Sequence, residues 1–561
     1  KIHILDRTYQ TSELFDAKTL RPIDIKFDPL KHKIFNQDIF SYDGNKTIIK
    51  HSTVRSTKNI PGVLILDGNK TYGKSKRKFL YRCLPDDKRL PEFLIPYQIK
   101  RGFEKKIHNK YIVFQFLHWK DKHPRAMITQ ILGDITELDH FYEYQLYCKS
   151  LYASIQNFTK DTMLALRKKS EKMFIDSIIE KYEIEDRTLT PVFTIDPTNS
   201  KDFDDAFSIY KSNNVYKLSI YIANVALWLD CMDIWKSFSK RIATIYLPDR
   251  KRPMLPTILS DLLCSLKENQ TRFAFTLDLD VDFTSGEILS MTYKNTSVRV
   301  KKNYVYEEKE LLNSNIYKNL FDCVIKMNTK RTHVSHIKDS HDIVAYLMII
   351  MNNLSAIKLQ TLKRGIFRSV IANKKCVVPA DLPVSISTFL KMWNSTGGSY
   401  VNYKMIQSHD FLELDVYTHI TSPIRRLVDL LNIIELQDGL NICKKSKQSK
   451  VFYDEWTTDK SFEYINTTMR AIRKVQNDCS LLEMCHNMPE LLSKTFKGFM
   501  FDRIVRNDGL YQYMVYLPNL KMLNRITMRE KRKDMSFADF KLYVFMDENR
   551  LKHKLRLEII I

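Results

Sequence analysis

Apolar and polar residues along this chain fall into short alternating runs at both ends and a mixed pattern in the middle. From residue 1 to about 165, P-G-V-L-I-L-D, R-K-F-L-Y-R-C-L, P-E-F-L-I-P-Y and K-Y-I-V-F-Q-F-L-H-W are β-like runs broken by polar turns, which predicts small barrels. Around Phe158 to Tyr182 the pattern turns helical, and helical and strand patterns alternate up to about residue 440. Within that region Pro191 to Ile195 and Ala206 to Tyr210 are predicted strands, with the turn formers Pro197, Thr198, Asn199 and Ser200 between them. Spaced Ile, Leu, Met and Ala with interleaved charges predict an amphipathic helix from Lys460 to Met488, ending near Pro489. The last segment, F-K-G-F-M-F-D-R-I, Y-Q-Y-M-V-Y-L-P-N-L, F-K-L-Y-V-F-M and L-R-L-E-I-I-I, returns to short strands. A chain of 561 residues exceeds the ~250 to 300 that one core usually supports, so several domains are expected.

Between the two predicted central strands, Asp196, Asp202, Asp204 and Asp205 crowd into ten residues of T-I-D-P-T-N-S-K-D-F-D-D-A-F-S-I-Y. Carboxylates this close repel one another unless hard cations neutralise them, and Mg²⁺ is the usual ion for an all-oxygen site. Two such ions bridged by carboxylates activate water and stabilise the leaving oxygen of a phosphodiester. An ordinary Asp-rich turn is the competing reading, and at this point the two stand about even. A calcium loop of the EF-hand type does not fit, because its glycine position holds Lys201 and its final glutamate position holds Phe207.

A formal charge of +24 changes the picture by naming a partner class, a polyanion, without naming a reaction. The 29 Tyr and 31 Phe include enough rings for base stacking, although most belong in cores. Nine cysteines without a C-x-x-C pair argue against a disulfide framework and a zinc site and fit a reducing compartment, with the cytoplasm expected. Cys264 reads as buried packing rather than a nucleophile. No apolar run comes near the roughly 18 residues of a membrane span, the longest notable one being Tyr346 to Met351. With 13 glycines there is no P-loop and no G-x-G-x-x-G. The first residue is not methionine, so an upstream domain stays open.

The run D-P-T-N-S-K-D-F-D-D resembles the metal-binding signature of the RNase II (RNB) family of exoribonucleases. T-I-Y-L-P-D-R-K-R-P-M-L-P-T-I-L-S-D-L-L-C-S-L, from Thr244 to Leu266, is similar to a second family block, and Y-T-H-I-T-S-P-I-R-R-L-V-D-L-L, from Tyr417 to Leu431, to the family's Arg-bearing block. The resemblance is strongest from about Asp196 to Leu431. P-D-D-K-R-L-P-E-F-L-I-P from Pro85, Y-I-V-F-Q-F-L-H-W-K-D-K-H-P from Tyr111 and I-L-G-D from Ile131 are similar to the paired cold-shock barrels that precede the catalytic domain, in a form closer to the eukaryotic exosome-nuclease branch.

What the resemblance implies is an α+β multidomain chain: cold-shock/OB β-barrels at 1–85 (incomplete or not) and 86–165, a mixed α/β RNB catalytic domain at 166–490, and an S1-like OB β-barrel at 491–561. It implies a 3′-to-5′ exoribonuclease that hydrolyses single-stranded RNA to nucleoside 5′-monophosphates. Asp196, Asp202, Asp204 and Asp205 match the family acids that hold two Mg²⁺, or Mn²⁺, ions, with Asp204 the indispensable one. Arg425 matches the arginine that holds the phosphate and stabilises the transition state, through a planar fork that lysine does not reproduce. Tyr246 matches a tyrosine that packs on the 3′-terminal nucleotides, and Trp119 and Arg426 are further RNA-contact candidates, each with a structural alternative: a barrel-core ring for Trp119, a backbone partner for Arg426. Lys201 is expected to balance the acids' charge. Single-stranded RNA is the expected partner, no membrane is expected, and helper proteins are open.

The chain departs from the family at Asn224, where a carboxylate is usual, at Val370 and Ile433, where histidines are common, and at Leu427, where a tyrosine is usual. These put rate, processivity and product length in doubt. A catalytically impaired RNA-binding regulator of the same fold is the rival reading, discriminated by a broken acid set, which is whole here. A metal-dependent DNase is the third.

Overall fold

The computed structural model describes residues 1–99, 107–372, 378–379 and 381–560. The chain divides into two compact units, one made of Lys1–Tyr152, Leu247–Arg250 and Arg473–Ile561, the other of Ala153–Tyr246 and Lys251–Ile472.

The second unit is built on a closed five-stranded barrel of β1 (Glu185–Asp196), β2 (Asp205–Ser212), β3 (Val215–Ala223), β4 (Thr271–Asp282) and β5 (Ile288–Val305). Neighbours along β1 to β5 are antiparallel, with Phe207 opposite Ile220 and Ile220 opposite Leu277, and β5 closes onto β1 in parallel with Asp196 beside Val305. Side chains alternate across a strand, and both faces are used. Phe193, Ile195, Phe207, Ile209, Leu218, Ile220 and Leu277 form an apolar core with residues of the helices α1 (Asn315–Lys330) and α2 (Ser340–Thr361). The intervening positions are polar: Ser208 meets the Tyr221 hydroxyl at 2.8 Å and Thr276 meets Thr296 at 2.8 Å.

By length and composition α2 is apolar enough to cross a membrane, which counting uninterrupted runs missed because Asn352, Asn353 and Ser355 break the pattern. It is a core helix: 67% of its most apolar window is buried, and Asn352 and Asn353 donate to the Tyr417 hydroxyl and the Val416 carbonyl at 3.0 and 2.9 Å.

In the first unit, Ile60–Leu64, Lys110–His118, Arg125–Asp134, Phe93–Tyr97, Lys78–Pro85 and Lys74–Ser75 make one six-stranded sheet, and a further pairing of Ile60–Leu64 with Lys78–Pro85 brings its long strands round on themselves. The boundary expected at 85/86 falls inside this sheet. The C-terminal five-stranded sheet runs Met522–Met528, Tyr511–Leu517, Phe496–Val505, Ser536–Asp547, Lys552–Ile559. The helix expected from Lys460 to Met488 spans Asp459–Asn487. The described cysteines, Cys264 among them as a buried one, are free thiols.

Trp119 corrects one expectation. Its ring is 8% exposed, stacked on Phe35 at 4.8 Å and set edge-on to Tyr9, inside the N-terminal core. With its faces covered it has no free face for a base.

Candidate active site

The acid segment lies where β1 ends and β2 begins. Asp196 is the last residue of β1, the chain turns through Pro197 to Ser200 with Asn199 left-handed at φ 68°, and Asp205 is the first residue of β2. The end of the second sequence block fastens this loop. The Ser265 hydroxyl accepts from the Phe203 N–H at 2.9 Å and donates to the Lys201 carbonyl at 3.0 Å, and the Leu266 N–H donates to the Phe203 carbonyl at 3.0 Å. The Ala223 N–H donates to the Asp204 carbonyl at 2.8 Å, so the acid backbone is anchored from β3 as well.

The Arg-bearing block reaches the same place. A turn from Ser422 is held by Asp429, whose carboxylate accepts from the Ser422 N–H and from Arg426, both at 2.8 Å. From that turn the Ile424 N–H donates to one oxygen of Asp204 at 2.9 Å, and Arg425 Nε donates to the other at 3.0 Å. Asp204 is buried, whereas the Arg425 side chain is 41% exposed. Pinned through Nε, the guanidinium leaves its two Nη groups for an incoming anion. The Thr244 N–H donates to the Arg425 carbonyl and the Leu427 N–H to the Ile242 carbonyl, each at 2.9 Å, which ties the second block to the third.

Arg426 makes structural contacts here. Its Nη2 donates both to Asp429 and to the Ser422 hydroxyl, which matches the structural alternative and gives it a part in shaping the turn that presents Arg425.

Tyr246 and Lys251 face each other across a two-residue ladder made by the Y-L-P-D-R-K turn. The Tyr246 hydroxyl donates to Asp202 Oδ2 at 3.3 Å, and Lys251 Nζ donates to Asp202 Oδ1 and Asp261 Oδ1, each at 3.0 Å. Lys201, the cation expected to balance the acids, is exposed; the lysine that reaches them is Lys251. Sequence proximity favoured the wrong lysine, and the signal for the right one was the proline-bearing turn that folds residue 251 back onto residue 246. Tyr306 was also missed. Its N–H donates to the Asp196 carbonyl at 3.1 Å, and its ring stacks on His341 at 3.6 Å.

Cation contacts divide the acids into two pairs. Asp202 and Asp204 each have a cation in contact. The carboxyls of Asp196 and Asp205 are pushed well above the ordinary carboxylate range, by burial first and then by each other or by neighbouring acids. Asp196 Oδ2 is buried without a hydrogen-bond partner. Burial also raises Asp204, against the pull of Arg425 and the Ile424 N–H. Burial works against the charges of Arg425 and Lys251, but the acids they face hold both above their usual values.

This donor set suits a hard divalent ion. Among the described residues no three His, Cys, Asp or Glu side chains converge to cage an ion by themselves. That is no obstacle to Mg²⁺, which keeps several waters and takes one or two carboxylates together with substrate phosphate. Asp196 and Asp205 offer those two carboxylates, and the orphaned Asp196 oxygen is the group such an ion would satisfy.

The departures are packed into the protein. Asn224 donates to Asn295 at 2.9 Å in a buried amide pair, Leu427 and Ile433 are fully buried, and Val370 is buried with its N–H on the Ser408 carbonyl.

Residues 184–319 match the RNB domain family. The chain is 25% identical over 416 residues to Ribonuclease R of Chlamydia pneumoniae, covering 60% of this chain and 59% of that one, so it spans less than two thirds of that relative's length. Among solved structures it resembles Mycoplasma genitalium RNase R in complex with ribose methylated single-stranded RNA, with a TM-score of 0.70 at 17% identity over 100% of both chains. It also resembles yeast Ssd1, a pseudonuclease, with a TM-score of 0.57 at 13% identity over 92% of this chain and 70% of that one.

Proposed function

We propose that this chain, whose residues 184–319 match the RNB domain family, is a metal-dependent 3′-to-5′ exoribonuclease of that family, acting on single-stranded RNA and releasing nucleoside 5′-monophosphates. The observation that carries the reading is the Asp204–Arg425 contact at 3.0 Å beside the unpartnered Asp196 oxygen. It sets an anion-binding guanidinium next to a cation-binding carboxylate pair, the two halves of a phosphodiester site. A divalent ion, Mg²⁺ or Mn²⁺, held by Asp196 and Asp205 supplies charge stabilisation and activation of water when bound.

The remaining work falls to the chain. Asp204 fixes the plane of the Arg425 guanidinium through Nε, so the Nη groups donate to the scissile phosphate as negative charge builds on its oxygens. Tyr246, half-exposed and steered by Asp202, offers its ring to the terminal nucleotide. The surplus of positive charge, +24, retains the polymer while its end is cut. The likeness to RNase R bound to single-stranded RNA supports this substrate class.

A second reading, a silent RNA-binding regulator, is favoured by the likeness to a pseudonuclease and by Asn224 and Val370 standing where the family differs. Incubating the chain with Mg²⁺ and 5′-labelled single-stranded RNA, with matching DNA alongside, separates the two. A descending ladder or short end product on RNA alone supports the nuclease. Intact RNA with measurable binding sinks it in favour of the regulator, and equal degradation of DNA points to a less selective nuclease.

A further inference from the structure

The two pairs of acids are neutralised by different means, and this bears on how many ions the site takes. Both oxygens of Asp202 are engaged, Oδ1 by Lys251 at 3.0 Å and Oδ2 by the Tyr246 hydroxyl at 3.3 Å. Lys251 is itself held from the other side by Asp261 Oδ1 at 3.0 Å, and Asp261 is braced by the Ser260 hydroxyl at 2.5 Å. The three side chains of this bridge are largely buried, with 12% of Asp202, 22% of Lys251 and 17% of Asp261 exposed. A short ladder, Tyr246 opposite Lys251 and Ile245 opposite Arg252, fixes where the ammonium sits. Asp204 is likewise matched by Arg425. Two carboxylates remain, Asp196 and Asp205, and their combined charge equals that of one divalent ion.

We propose that the Lys251 ammonium takes the place at Asp202 that a second divalent ion would otherwise occupy, so that this site holds one ion, at Asp196 and Asp205, rather than two. The inference rests on the nuclease reading only for the presence of a divalent ion. An ammonium is a compact point charge with three donors, and bridging two carboxylates uses two of them. It neutralises Asp202 without the octahedral oxygen shell that Mg²⁺ demands. Lys251 is therefore a positioning residue. It orients Asp202, and through Asp202 the Tyr246 hydroxyl, whatever the concentration of metal.

The test is a count of bound Mn²⁺ on the full chain by electron paramagnetic resonance, taking as site-bound the ions lost when Asp202 and Asp205 are both replaced by Asn. One ion per chain is expected in the natural sequence and in Lys251→Arg, which keeps the charge. Two are expected in Lys251→Met, where the vacated Asp202–Asp261 pair becomes a second oxygen site. Two site-bound ions in the natural sequence, or none, overturns the inference, and so does a count of one in a folded Lys251→Met. The natural-sequence count stands by itself if Lys251→Met does not fold. Because the readout is binding, a chain that takes one Mn²⁺ but leaves RNA intact keeps this inference and sinks the nuclease reading instead.

Discussion

On the polar face of the barrel, Arg187 meets Asp278 through two parallel bonds of 2.7 and 2.6 Å, the Ser219 hydroxyl donates to the same carboxylate at 2.7 Å, and Glu185 receives Arg187 Nε at 2.7 Å. Where β1 ends and β2 begins, Asp196 keeps a buried oxygen with no partner, and Arg425 makes its ion pair through Nε with Asp204 instead. The two clusters share a barrel and a composition of acids and arginine, and they differ in completion. Where Arg187, Asp278, Glu185 and the Ser219 hydroxyl meet one another, the ion pair holds strands β1, β3 and β4 together, and a ligand that took these groups would have to break those bonds. Where burial raises carboxyls that have no cation in direct contact, folding has left them an electrostatic cost that a bound cation would offset. An unfinished network on a rigid scaffold therefore marks the site better than the number of acids does.

Variants in the two clusters should diverge. The largest effect is expected from Asp204→Asn, which frees the Arg425 guanidinium and weakens cation binding together: turnover on labelled RNA should vanish while RNA affinity, measured by filter retention, stays within about twofold. Unchanged turnover would remove Asp204 from the machinery. Next, Arg425→Ala should lower turnover by about 10²- to 10³-fold, the scale of losing a preorganised donor, with a much smaller loss of affinity. Arg425→Lys should not restore it, because lysine lacks the fork; equal losses of turnover and affinity would reduce Arg425 to a phosphate anchor.

In the closed cluster, Arg187→Met should cost about 1–3 kcal/mol of stability by stranding Asp278, read by urea denaturation, and leave turnover per folded molecule as it was. A fall in turnover matching that of Arg425→Ala would break the contrast between the clusters. The smallest effect concerns pH in chelator. Folding raises the Asp196 and Asp205 carboxyls above the ordinary 3.8, so the folded chain binds protons more tightly than the unfolded one. Their contribution to stability is then largest at low pH and is lost as pH rises above that value. Asp205→Asn should flatten this decline, and saturating Mn²⁺ should reverse it; a slope indifferent to both would mean that the acids are compensated by groups other than metal.

Much of this was legible from local pattern. Strand alternation placed Pro191–Ile195 inside β1 and Ala206–Tyr210 inside β2, and helical spacing located Asp459–Asn487 nearly to the residue, because side-chain periodicity is a property of a few consecutive positions. The four aspartates, Arg425 and Tyr246 were found as blocks of residues, and folding brings Asp202 to Tyr246 and Asp204 to Arg425. The roles of their neighbours were not legible. Lys201 is adjacent in sequence and exposed, whereas Lys251 lies 49 residues from Asp202 and touches it; Arg426 is one residue from Arg425 and bonds Asp429; Trp119 has the chemistry of a stacking platform and is packed against Phe35.

What the sequence by itself determined, then, was which acidic, basic and aromatic residues are grouped in blocks and the secondary structure that carries them, since residue type and short-range spacing decide both. Which charge meets which, and which acid is left wanting, was decided only by the tertiary structure. Coulomb and desolvation energies depend on distance through space and on burial, and a pair such as Asp204 and Arg425, 221 residues apart, acquires both only when the barrel has closed.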